Sequence, residues 1–139
     1  MPALSRLVSS RSFPEGWLRE GVHAPHFLVV DAVSQVWEEV LIGLGDDLLH
    51  PRHLAVVRVA FDYRHEVFVA PGEFEVDVVR IGRTSVELAV RLHRGGRPVV
   101  DAQVVLANVD DDRTAAVPLS DRQRAALETI AVPREVPAP

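Results

Sequence analysis

The stretch WLREGVHAPHFLVVDAVSQVWEEV, residues 17–40, sets one carboxylate, Asp31, inside a strongly apolar run opened by His23, Pro25 and His26. A carboxylate beside a lipophilic pocket can act as a general base or as a nucleophile. Imidazoles, with pKa values near about 6.5, carry protons at neutral pH. Gln35 stands one helical turn after Asp31 on the same face, where its amide can orient a water. The plain alternative is a solvated helix face of Asp31, Ser34, Gln35 and Glu38, with His23 and His26 as helix-start residues.

The elements that must position these groups follow from periodicity. From Phe27 to Leu44, Val29, Val33, Val36 and Val40 recur at helical spacing, and Ala32, Trp37 and Leu41 widen the stripe. Trp37 reads as core. The polar residues Asp31, Ser34, Gln35 and Glu38 fall in a narrow arc opposite, with Glu39 at its border. Gly43 and Gly45 mark the helix end.

From residue 54 the period is two. Val57, Val59, Phe61 and Tyr63 alternate with Arg58, Ala60, Asp62 and Arg64. APGE at 70–73 is a turn, Phe74, Val76 and Val78 alternate again, and IGRTS bends the chain near Gly82. Val86, Leu88, Val90 and Leu92 lead into RGGRP, a hairpin, and a long strand runs from Val99 to Val109. Ser120 with Gln123 three residues on is a capping-box pattern for a last helix. A weaker strand pattern lies within residues 4–13, and the tail VPREVPAP reads as disordered. One long helix followed by four antiparallel strands is an α+β layout in a single domain, 1–132, with 133–139 as the tail.

Composition narrows the function classes. At 139 residues with 47% hydrophobic residues, the chain supports its own core. It has no cysteine, which excludes disulfides, thiol nucleophiles and zinc–thiolate sites. Its 15 basic residues are all arginine, which removes Schiff-base lysine chemistry. A net charge of −5 argues against nucleic-acid binding. No apolar run approaches the roughly 18 residues of a membrane span, and no signal-peptide core opens the chain, so a cytoplasmic location is expected. Asp110, Asp111 and Asp112 read as a solvated strand end rather than a metal site. Glu66 and Glu73 read as solubilising strand-edge residues, and Arg83 as a turn residue.

The segment VRVAFDYRHEVFVAPGEFEVDVVRIGRTSVELAVRLHRGGRPVVDAQVVLANVD, 57–110, with AAVPLSDRQRAAL behind it, resembles hotdog acyl-CoA thioesterases of the 4-hydroxybenzoyl-CoA thioesterase-like group. The features that carry the likeness are the aromatic–Arg pair Tyr63–Arg64, the PGE turn, the IGRTSV bend, and a closing strand running into Val-Asp and a PLSD helix. The resemblance covers residues 54–127. It implies a hotdog fold, in which a curved antiparallel sheet wraps a long central helix. The loop acid of that group has no counterpart, because the matching positions are Gly21 and His23. A second, shorter likeness joins PHFLVVDAVSQ, 25–35, to hotdog hydroxyacyl-thioester dehydratases, where Asp31 matches the catalytic acid and Gln35 the glutamine. The dehydratase histidine falls on Trp17, so dehydration is disfavoured.

These resemblances imply an acyl thioester hydrolase acting on a coenzyme A or carrier-protein thioester, without cofactor or metal, as a homodimer or dimer of dimers. Asp31 would be the acid, Gln35 would orient water, and His23 or His26 would move protons. The amides of Phe27 and Leu28, at the positive end of the helix, would polarise the carbonyl. Tyr63 and Arg64 would contact the substrate, with His65 beside them. The competing expectation is a hotdog protein that binds acyl thioesters or a protein partner without catalysis.

Overall fold

The computed structural model describes residues 21–132. The strand expected within 4–13 and the proline-rich tail 133–139 lie outside the described residues. The expected α+β layout is present as helix α1 (His26–Gly43), a 3-10 turn (Pro51–His53), strands β1 (Leu54–Tyr63), β2 (Glu73–Ile81), β3 (Ser85–Arg94) and β4 (Arg97–Asn108), and helix α2 (Asp121–Glu128).

Helix α1 forms where the apolar residues recur every three or four positions. That spacing gathers Leu28, Val29, Ala32, Val33, Val36, Trp37 and Leu41 into one buried stripe. Pro25 is the N-cap at φ −65° and ψ 152°, and its own side chain makes no capping hydrogen bond. At the other end Gly45 takes φ 90°, and its N–H returns to the Ile42 carbonyl at 3.1 Å.

The strands form one antiparallel sheet in the order β1-β4-β3-β2. Between β3 and β4 the two-residue turn Gly95–Gly96 has φ values of 56° and 77°, the backbone that matches strand twist and that glycine adopts freely. At Gly82 the requirement is close approach: an added Cβ would lie 2.9 Å from Ser85 Oγ and 3.3 Å from the Ser85 carbonyl oxygen. Inner-face residues such as Val78, Leu88, Val104 and Leu106 meet the apolar stripe of α1, and this is the core.

Strand β1 departs from the simple alternation expected for it. A bulge sits between Val56 and Arg58, so Val56 faces Leu106 while Val59 faces Val104. Val56, Val59, Phe61 and Tyr63 therefore share the inner face, and Val57 is the extra residue. That inner face is largely uncovered: Leu54 is buried, but Val56 is 55% exposed, Val59 43% and Tyr63 44%. The far edge of the sheet differs. There the Ile130 carbonyl accepts from Val78 N–H at 2.9 Å, and Val132 N–H donates to the Val78 carbonyl at 3.0 Å. Strand β1 has no such cover among the described residues.

The capping box expected at Ser120 and Gln123 is formed in both directions. The same Gln123 amide reaches inward, donating to the Leu48 carbonyl at 2.9 Å and pairing with the buried Asn108. On the loop after β4, Arg113 donates to the carbonyls of Pro51, Arg52 and Leu54, which fixes the start of β1.

Candidate active site

Residues 21–24 lie antiparallel to 67–69, through Ala24 N–H to the Val67 carbonyl at 2.7 Å and Val69 N–H to the Val22 carbonyl at 2.8 Å. This two-stranded clip holds the start of α1 over the end of β1. Beyond Tyr63 the chain stays against β4, because Arg64 N–H donates to the Val99 carbonyl at 2.9 Å. An open pocket of about 580 Å³ results, walled by His23, Ala24, His26 and the run Tyr63–Val67.

Within it the His26 Nδ1 and the Tyr63 hydroxyl are hydrogen-bonded. The His26 ring stands edge-on to Phe61 with centroids 5.5 Å apart, and Phe61 stacks on Tyr63 at 6.4 Å. Partial burial raises the Tyr63 pKa, which keeps the phenol protonated at neutral pH. His23 Nε2 pairs with Glu66 Oε2 at 2.6 Å, both side chains being exposed. Glu66, read from sequence as a solubilising residue, is thus in contact with a candidate site residue.

The other expected residues are distributed differently. Asp31 is half-buried on α1 and accepts a hydrogen bond from Gln35 Nε2 at 3.1 Å, but neither lines the pocket. They belong to the helix face opposite the buried stripe, together with Glu38. Burial lifts the Glu38 pKa; His50 opposes the shift and Asp31 adds to it. Phe27 is 44% exposed, whereas Leu28 is in the core and its N–H is spent on the Pro25 carbonyl at 3.0 Å. Arg64 lines the pocket wall, yet its Nε donates to Asp101 Oδ2 at 2.5 Å. That hydrogen bond, more than the charge attraction accompanying it, raises the guanidinium pKa.

His65 lines the pocket beside Arg64, and Val67 closes it as a residue that the sequence did not mark. The one signal for Val67 was the short continuous apolar run Val67, Phe68, Val69 after Tyr63–Arg64, which is consistent with a short strand with a place to pair. Asp110 belongs to a turn rather than to a site. Its carboxylate accepts from Thr114 N–H at 2.8 Å, a bond that lowers its pKa. Among the described residues no group of three histidine, aspartate or glutamate side chains is arranged to hold a metal.

No family model matches the sequence, and no curated protein matches it. Solved structures do resemble it. A "predicted thioesterase" from Bacillus stearothermophilus superposes with a TM-score of 0.68 at 16% identity, covering 90% of this chain and 96% of that one. A thioesterase from Thermus thermophilus, complexed with coenzyme A and Zn, gives 0.70 at 17% identity, covering 78% and 81%. A gentisyl-coenzyme A thioesterase gives 0.65 at 12% identity, covering 82% and 94%. The fold is the hotdog fold. Its central helix is α1, and the pocket lies where the hotdog sheet ends beside the start of that helix. No helix among the described residues is long and apolar enough to cross a membrane.

Proposed function

We propose that this hotdog protein hydrolyses an acyl thioester at the N-terminal end of α1, with coenzyme A or a carrier protein as leaving group, in the cytoplasm. The observation that carries the reading is the His26–Tyr63 pair, lodged where the start of α1 opens onto a pocket. Thioester hydrolysis needs a polarised carbonyl, an activated oxygen and a proton for the departing sulfur. The positive end of α1 and the Tyr63 hydroxyl suit the carbonyl oxygen. His26 and His23 suit the proton. Asp31, one turn along α1 with Gln35 bonded to it, is the base or nucleophile.

The acyl groove is completed by a second copy. Among the described residues nothing pairs with the outer edge of β1, and beside it Val56, Val59, Phe61 and Tyr63 leave an apolar face largely uncovered. Pairing two chains through β1 about a two-fold axis covers both features at once and encloses the space next to Phe27. The same assembly can pair again as a dimer of dimers.

A second reading, a hotdog protein that binds acyl thioesters or a protein partner without hydrolysis, is favoured by one observation: Asp31 does not line the pocket of the single chain. A panel of acyl-CoA esters followed with a thiol-detecting reagent separates the two. Turnover that falls by about a hundredfold or more in Asp31→Asn, with the fold intact, supports hydrolysis at this acid. Binding of the esters without any turnover supports the second reading.

A further inference from the structure

The inner face of the sheet packs on α1. On the other face Arg58, Asp62, Gln103, Arg91, Glu75 and Arg80 are all exposed. Strand register arranges the charges there in rows. Ala60, Gln103, Ala89 and Asp77 stand side by side across the four strands. The row on one side of them is Arg58, Val105, Glu87 and Arg80, and the row on the other is Asp62, Asp101, Arg91 and Glu75. On three strands the central residue is therefore flanked by charges of opposite sign: Arg58 with Asp62, Glu87 with Arg91, and Arg80 with Glu75. We propose that this face docks on the same face of a second copy, about a two-fold axis that runs across the strands along the central row. The proposal rests on the β1-paired dimer above and deepens it, because it names the surface by which two such dimers join.

A two-fold contact sets a surface patch against itself. Turning the face over about the central row exchanges the two flanking rows. Arg58 then meets Asp62 of the second copy, Glu87 meets its Arg91, and Arg80 meets its Glu75. Stacked sheets lie about 10 Å apart, within reach of arginine and glutamate side chains extended from both sides. Among the described residues Arg58, Arg80 and Glu87 form no ion pair within the chain, so their charges are available. On the axis itself Gln103 meets its own copy, and two amides can exchange donor and acceptor. Asp77 also meets its own copy, at the end of the row, but Arg91 Nη1 of the same chain stands 3.6 Å from its carboxylate and offsets the charge. The other symmetric choice, an axis along the strands, lays β1 over β2. It would set Arg58 on Arg80 and Asp62 on Glu75, like charge on like charge, which is unfavourable. The charge pattern selects the first arrangement.

Area explains why the contact needs dimers. Strands about 4.8 Å apart and same-face rows about 6.7 Å apart give the face of one chain roughly 500 Å². A stable interface covers about 800 Å² per partner, so one face alone falls short. Two chains joined through β1 present both faces in one continuous sheet and double that area. Closure also fixes a register. The two-fold axes of a closed tetramer meet at a point, so β1 must pair with its mate about Ala60.

Sedimentation velocity tests the assembly. The contact is polar and exposed, so the wild type should be dimeric at micromolar concentration, tetrameric from roughly 100 µM, and dimeric again in about 1 M salt. Glu87→Arg makes the two flanking charges of β3 positive, and Arg91→Glu makes them negative. Each variant alone should stay a dimer where the wild type is a tetramer. Mixed in equal amounts, the two variants should recover the tetramer, because a positive face then meets a negative one. That recovery also excludes misfolding as the reason for the loss, and an axis along the strands predicts no recovery. A wild type that stays dimeric at the higher concentration, or a mixture that stays dimeric, overturns the proposal and leaves the β1 dimer standing. A wild type that is monomeric throughout overturns the β1 pairing and the tetramer together. A wild-type dimer that Glu87→Arg splits into monomers supports the face contact and overturns the β1 pairing.

Discussion

Tyr63 and His26 meet in a hydrogen bond although 37 residues separate them, so the last residue of the edge strand is tied to the first residue of the central helix. The tie sets the pocket wall and joins a phenol to an imidazole within it.

Removing that hydroxyl should therefore be felt in rate more than in folding. Tyr63→Phe keeps the ring and its stack on Phe61, and should lower kcat/KM for an acyl-CoA ester roughly tenfold, the worth of a hydrogen bond to a group carrying charge. Unaltered kcat/KM would place the pair outside the chemistry.

Assembly and activity should fail together. Val59→Asp puts a charge on a position that is 43% exposed in the single chain, so a monomer should tolerate it. In a β1-paired dimer the same charge is buried without a partner, which is costly. Light scattering at micromolar concentration should show a dimer for the wild type and a monomer for the variant, with hydrolysis lost. A fully active monomer would refute the shared groove.

The pH dependence of stability should carry a mark of Glu38. Its folded-state pKa lies above the ordinary value of 4.5, chiefly through burial. The folded protein therefore holds the proton more tightly than the unfolded chain. The resulting stabilisation is present below the ordinary carboxylate pKa and is lost as pH rises through the raised value. Glu38→Gln should flatten that decline, so denaturant midpoints of the variant and wild type should separate in the variant's favour above the transition. A variant equally stable or less stable there would contradict the assignment.

Two glycines should respond to alanine with opposite signs. At Gly72 a Cβ would sit 2.9 Å from Leu92 Cδ1 and 3.1 Å from the His93 carbonyl oxygen; the backbone atom cannot readily give way, and about 1–3 kcal/mol should be lost. At Gly43, the last residue of α1, a Cβ meets nothing within 4 Å, and alanine should add up to about 1 kcal/mol. Urea midpoints at constant m-value measure both.

Much of this was legible in the sequence because it is local. The stripe through Val29, Val33 and Val36 fixes the period of α1, Ser120 and Gln123 write their own cap, and Gly95–Gly96 can hardly be anything but a tight turn. The bulge at Val57 was not legible, since an extra valine in an apolar strand leaves no trace in alternation until a partner strand shows the slip. Nor was the pocket. It depends on residues 21–24 finding 67–69, a pairing of short segments far apart in the chain, and only that pairing brings His23 to Glu66 and His26 to Tyr63. The helix acid drew attention by its chemistry, whereas its place outside the pocket lining is a property of three-dimensional placement alone.

Strand β1 is made before the other three strands described, yet β4, its one neighbour among the described residues, is made last. The hairpins β2–β3 and β3–β4 can close as soon as they exist, because their loops are short. β1 must wait until the whole meander is finished, and the loop that its docking closes is the longest in the sheet. During that interval a sticky ribbon containing Val56, Val57, Val59 and Phe61 has no sheet to join, so the late arrival of β4 sets how long a newborn chain is open to joining its neighbours wrongly. Arg113, which clasps the carbonyls at the start of β1 from a loop synthesised after β4, would act as the latch of that final docking step. Slow refolding at high protein concentration should therefore be the weak point of this molecule, and substitutions at Arg113 should delay the last step rather than the first.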